Sequence, residues 1–154
     1  MPKFELKKYK GQVGHEGPGY ACELWMDGKL AAHCFDEGNG GSPILQYVSP
    51  EVRRQIQEHI STMPPFHWEA DDYHNASDEP MTQELFMLQL VEAHETRKTF
   101  VRQCKTKTLF RLKSDKSDEY HICKQAYSPI IVEWLRKQFG DNLVEIINET
   151  LAKE

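Results

Sequence analysis

Apolar and polar residues alternate at the start of the chain. Phe4 and Leu6 fall on one side, and Lys3, Glu5 and Lys7 on the other. Such a period of two over residues 3–9 predicts a strand with one face in water. After a loop, GQVGHEGPG, two further runs at 20–26 and 29–35 flank Asp27-Gly28. That dipeptide supplies the positive φ angles of a two-residue hairpin turn. Gly38-Asn39-Gly40-Gly41 then opens another loop, where the backbone has freedom that other residues lack.

The pattern next turns helical. Ser49-Pro50-Glu51 gives a capping side chain, a proline in the first turn and an acid near the helix dipole, predicting a helix to about Ile60. Residues 63–80 hold three prolines, many acids and little periodicity, which predicts a long acidic loop. From Thr82 to about Gln103 the spacing predicts one long helix, apolar on more than one face in its first half, a pattern that admits a homodimer. Residues 106–113 and 119–126 form a second hairpin around SDKSD. Ser128-Pro129 starts a helix to Phe139, Gly140 ends it, and Asp141 or Asn142 caps a last helix from Leu143 to Ala152. The order of elements predicts an α+β fold: an antiparallel sheet built from the two hairpins and the N-terminal strand, with four helices mainly on one face.

Composition narrows the class. A chain of 154 residues suits one domain, residues 1–154, with a core that needs neither metal nor disulfide. No apolar run approaches membrane-spanning length and the N-terminus lacks an apolar signal region, so neither a membrane partner nor secretion is expected. Four cysteines then read as reduced thiols in a cytoplasm. The net charge of −5 is uneven. Residues 66–79 carry five acids and no lysine or arginine, whereas residues 96–124 carry nine basic side chains against three acidic ones. Such blocks are usually solvated faces, and an anionic partner is the functional alternative. Overall acidity and the lack of a helix-turn-helix pattern disfavour nucleic acid.

Candidate chemistry is sparse. If the hairpin pairs without irregularity, Cys22 faces His33, the thiol and base that nucleophilic hydrolysis needs, and Cys34 points to the other face. The commoner outcome for such a pair is packing in the core. No close cysteine pair signals zinc, and no cofactor motif occurs. His94-Glu95 lacks the second histidine of a metalloprotease helix, because Lys98 stands there. His67, Asp71, Asp72 and His74 supply donors for a divalent ion but not the spacing of a calcium loop. His67, Trp68 and Tyr73 are alternatively contacts for a partner. The glycine loop Gly38, Asn39, Gly40, Gly41 could form an anion nest, with Arg111 and Lys113 supplying charge and Tyr20 or Trp25 stacking on a base.

One resemblance adds context. Asp27-Gly28-Lys29, Gly38 to Gly41, Phe110 to Lys113 and Phe139-Gly140-Asp141 follow one another as in YxxxLWMDGKLAAHCFDEGNGG and the later TLFRLKSDKSDEYHICKQAYSPIIVEWLRKQFGDN. This arrangement resembles small proteins of tailed bacteriophages and prophages. The likeness spans both ends of the chain, omits residues 49–80 and brings no catalytic residues. It implies a phage protein that works by binding. Together with the missing catalytic constellation, it leads to an expected non-enzymatic binding protein that captures a host protein or an anionic, nucleotide-like signal. A small hydrolase using Cys22 and His33, or a metal at residues 67–78, is the alternative.

Overall fold

The N-terminal alternation becomes strand β1 (Phe4–Val13), which runs further than its period-two segment and takes in the start of the expected loop. It pairs with β2 (Pro18–Met26), which turns through Asp27-Gly28 into β3 (Lys29–Asp36), followed by β4 (Ile44–Tyr47). The order is β1-β2-β3-β4, and every neighbouring pair is antiparallel. Asp27 and Gly28 both hold positive φ, 51° and 80°, as a tight hairpin turn of this handedness requires. The structure, a computed structural model, describes all residues 1–154. Its class is α+β.

Helix α1 (Pro50–Thr62) begins where expected, with Ser49 Oγ accepting from the Val52 amide at 3.1 Å. Helix α2 (Gln83–Gln103) is capped by Thr82 Oγ1, which accepts from the Leu85 amide at 3.2 Å. Ile56 and Ile60 of α1 and Phe86, Met87 and Val91 of α2 cover one face of the sheet, where Tyr20, Cys22, Leu24, Ala32 and Cys34 are buried. Each side chain as fully enclosed as Leu24 contributes about 1.5–3 kcal/mol through burial. The apolar residues Leu85, Phe86, Met87 and Val91 in the first half of α2 are buried within the chain.

Residues 63–80 are not a plain loop. β5 (Phe66–Trp68) and β6 (Ser77–Glu79) pair antiparallel, with Phe66 buried and His67 Nδ1 2.7 Å from Asp78 Oδ1. Asp71 Oδ1 accepts from the amides of Tyr73 and His74 at 2.8 and 2.6 Å and shapes the connection. One buried ring and a side-chain turn organise this hairpin, so no periodicity announces it.

Contacts divide the chain into two compact units, Met1–Ala93 and His94–Glu154, and the boundary falls inside α2. In the second unit β7 (Thr108–Leu112) lies between β8 (His121–Cys123) and β9 (Leu143–Ile146). Helix α3 (Pro129–Phe139) packs Ile131 and Leu135 with Phe110 and Ile146; a separate cluster holds Phe100, Leu109 and Ile147. The expected last helix is corrected: Leu143–Ile146 is a strand, and only Ile147–Ala152 is helical, as α4. Asn148 fixes this end, accepting from the Leu109 amide and donating to the Lys107 carbonyl, both at 2.9 Å. The two expected hairpins thus belong to different sheets. No helix is long and apolar enough to cross a membrane.

Candidate functional site

The register of the first hairpin decides the fate of the cysteine–histidine pair. Trp25 faces Leu30, but Leu24 faces Ala32, so Ala31 is the extra residue of a β-bulge. Beyond the bulge every partner shifts by one. Cys22 faces Cys34, and Glu23 faces His33. The expected Cys22–His33 pair does not form, and Cys34 lies with Cys22 rather than on the opposite face. The two thiols hydrogen-bond to each other in the core; this lowers the pKa of Cys22, while the same contact and burial raise that of Cys34. His33 stands exposed on the other face, with no thiol to activate.

That other face holds an ordered polar group. Glu23 is buried there beneath Lys8, whose Nζ lies 2.8 Å from Oε1, and Trp25 Nε1 donates to Oε2 at 3.1 Å. The Lys8 contact first, and the Trp25 hydrogen bond after it, hold the Glu23 carboxyl below the usual range. Lys7 Nζ sits 3.8 Å from the centre of the Trp25 ring. Trp25 already carries a cation and a hydrogen bond, and is engaged within the sheet.

The glycine loop is likewise spent on its own packing. The Gly38 amide donates to Asp36 Oδ1 at 2.8 Å, and its carbonyl accepts from the Glu16 amide at 2.8 Å. A side chain on Gly14 would collide with the carbonyls of Glu37 and Gly38, so the two glycine loops meet backbone to backbone. Around them stand carboxylates: Glu16 against Gly40, Asp36 on the Gly38 amide, and Glu37, whose Oε2 accepts from Asn39. Such surroundings favour cations over anions. Arg111 and Lys113 belong to the second unit. There Arg111 Nε lies 3.1 Å from Glu145 Oε1, too poorly aligned for a hydrogen bond, and its Nη1 donates to the Ser117 carbonyl.

The metal alternative also separates into pairs. His67 bonds Asp78, His74 lies 3.1 Å from Asp71, and Asp72 joins neither pair. No three histidine, cysteine, aspartate or glutamate side chains converge to hold a metal ion.

What the first unit does build is a cleft of about 380 Å³ beside the glycine loop. Tyr20 of β2 and Trp68 of β5 are its aromatic walls, and Leu85, Leu88 and Val91 of α2 its apolar floor. Asp36, Glu79 and Glu84 line it with carboxylates; no lysine or arginine does. Its parts are fixed from behind. Trp68 packs on buried Phe66 with ring centroids 4.7 Å apart, and Tyr20 stacks on Tyr9 at 5.9 Å. Ser42 Oγ donates to Glu84 Oε2 at 3.0 Å. Burial first, then the neighbouring Cys34, Cys22 and Asp36, raise the Tyr20 pKa well above the usual phenol value, so this wall stays neutral. A broader depression of about 530 Å³ in the second unit is lined by Tyr127, Val132, Arg136 and Glu149 among others, but is shallower and mixes both signs of charge.

Of the residues singled out from sequence, Tyr20 and Trp68 meet in this cleft. Asp36, Glu84 and the α2 floor were missed, although the apolar residues on a second face of α2 were the available signal. Comparisons with protein-family models, curated proteins and solved structures return no match.

Proposed function

We propose that this chain is a non-enzymatic binding protein whose first unit captures a basic segment of a partner protein. The observation that carries this reading is the composition of the cleft: two aromatic walls, an apolar floor and three carboxylates with no cation among them. A lysine or arginine side chain matches it part by part. The aliphatic stem covers Leu85 and Leu88, while the cationic head lies over the face of Trp68 and near a carboxylate. A cation over an aromatic face is worth about 0.5–2 kcal/mol, depending on how far water is excluded. In the phage setting implied by the sequence resemblance, the partner is a host defence or regulatory component. Of the two ligand classes expected from sequence, the protein is favoured over the anionic signal, because carboxylates surround both the cleft and the glycine loop.

A set of fluorescent peptides of equal length tests this, alternating leucine with arginine, serine or glutamate. The arginine peptide is expected to bind, to weaken as salt is raised, and to lose at least tenfold in affinity to Trp68→Ala. Equal affinity for the glutamate peptide, or binding untouched by Trp68→Ala and Glu84→Lys, refutes the proposal.

A further inference from the structure

Two thiols face each other in the core of the first unit. The bulge at Ala31 sets Cys22 of β2 directly opposite Cys34 of β3, both on the covered face of the sheet. Opposed Cα atoms of antiparallel strands lie about 4.5–5.5 Å apart, inside the roughly 4.4–6.8 Å that a disulfide spans. The sulfurs are already in hydrogen-bond contact, and both cysteines are free. Cys104 and Cys123, by contrast, belong to separate clusters of the second unit. A buried cysteine on its own is an inert packing group, whereas two on one rung of a ladder can join with little movement of the backbone. Cys34 is fully enclosed, and Cys22 is 6% exposed. One rung further along the same face, Tyr20 pairs with Asp36, and both line the cleft.

We propose that Cys22 and Cys34 are a redox-active dithiol, which a peroxide converts into a cross-strand disulfide between β2 and β3. The Cys34 thiol donates to the Cys22 sulfur, so the thiolate forms at Cys22 while Cys34 keeps its proton. The Cys22 thiolate attacks one oxygen of the peroxide. The O–O bond breaks, and the departing hydroxide takes up the proton released from Cys22 and leaves as water. The sulfenic acid so formed lies against Cys34. The Cys34 sulfur displaces its hydroxyl, which departs with the Cys34 proton as a second water. One S–S bond has formed, the two thiols have lost two electrons, and the peroxide has gained them. A thiol–disulfide exchange with dithiothreitol reverses the bond. The pair lies wholly in the first unit, and its oxidation does not depend on what the cleft binds.

The test treats the full, reduced chain with hydrogen peroxide in native buffer, blocks the remaining thiols by alkylation, and reads the intact mass and the peptide map. The expected product is monomeric, lighter by two hydrogen atoms before alkylation, with Cys22 joined to Cys34 and with Cys104 and Cys123 alkylated. Dithiothreitol should return all four thiols. A Cys104→Ser/Cys123→Ser variant, which leaves the core untouched, should cross-link at the wild-type rate. Cys34→Ala should lose the intramolecular bond while keeping the circular dichroism of the wild-type chain. A bond that joins Cys104 or Cys123 instead overturns the proposal. So does a Cys22–Cys34 bond that forms only in urea, or a Cys104→Ser/Cys123→Ser variant that stays reduced.

Discussion

The two units solve sheet burial differently. The four-stranded sheet of Met1–Ala93 is covered on the face of Tyr20, Cys22 and Leu24, while His33, Phe35 and Gln46 of the other face are exposed. In the second unit, successive residues of β7 enter different clusters, Leu109 with Phe100 and Ile147, and Phe110 with Ile131 and Leu135. A half-wet sheet writes strict alternation into its sequence, whereas a doubly buried one erases it. Charge divides the same way. The first unit has fifteen acidic side chains against seven basic, and the second nine against twelve. The acidic unit holds the aromatic cleft, and the basic unit leaves Ile130 and Trp134 of α3 exposed.

The largest test of this contrast is in the cores. Leu24→Ala and Leu109→Ala each remove a fully buried side chain and should cost about 2–5 kcal/mol in urea unfolding. A new charge should separate the sheets. Gln46→Lys, on the wet face, should stay within about 0.5 kcal/mol of wild type, and Leu109→Lys should prevent folding. Equal tolerance at both positions would break the comparison.

The glycine loop gives the next effect. Gly38 has φ +72°, and a side chain there would strike the Gly17 carbonyl and the Gly14 backbone, while at Gly41 it would meet open space. Gly38→Ala should therefore cost about 1–3 kcal/mol, with Gly41→Ala near neutral, as measured by thermal melting. Sensitivity at Gly41 instead would point back to a loop that serves a ligand.

Smaller effects follow from titration. Glu23 has a lowered folded pKa, so its contribution to stability is present above the ordinary carboxylate range and lost as pH falls through the folded value. Glu23→Gln should flatten the acid limb of the stability–pH curve. His67 has the opposite sign: the hydrogen bond it donates to the Asp78 carboxylate raises its pKa. Its contribution is present below the ordinary histidine range and lost as pH rises through the raised value. Stability should fall over that interval, and His67→Gln should remove the dependence in a stability–pH series.

Where the sequence carried a local signal, the elements were legible. Ser49 and Ser128 cap helices, Asp27-Gly28 turns the hairpin, and Gly140 ends α3. Where tertiary packing decides, they were not. Leu143-Val144-Glu145-Ile146 suits a helix or a strand, and pairing with β7 selects the strand. A single extra residue, Ala31, replaced a cysteine–histidine pair with a pair of thiols, and no local signal marks that bulge. The candidate site was half visible. Trp68 and Tyr20 stood out as aromatic residues, but Leu85, Leu88 and Asp36 acquire their role only once α2 lies along the sheet.

The most direct test of the cleft assignment is a titration of isotope-labelled protein with the arginine–leucine peptide, followed by NMR. The account predicts saturable shifts at the Trp68 indole and the methyl groups of Leu85, Leu88 and Val91, reduced by salt and absent with the glutamate peptide. Shifts that leave those groups still and fall on Arg111, Lys113 or the Gly38–Gly41 amides would contradict it.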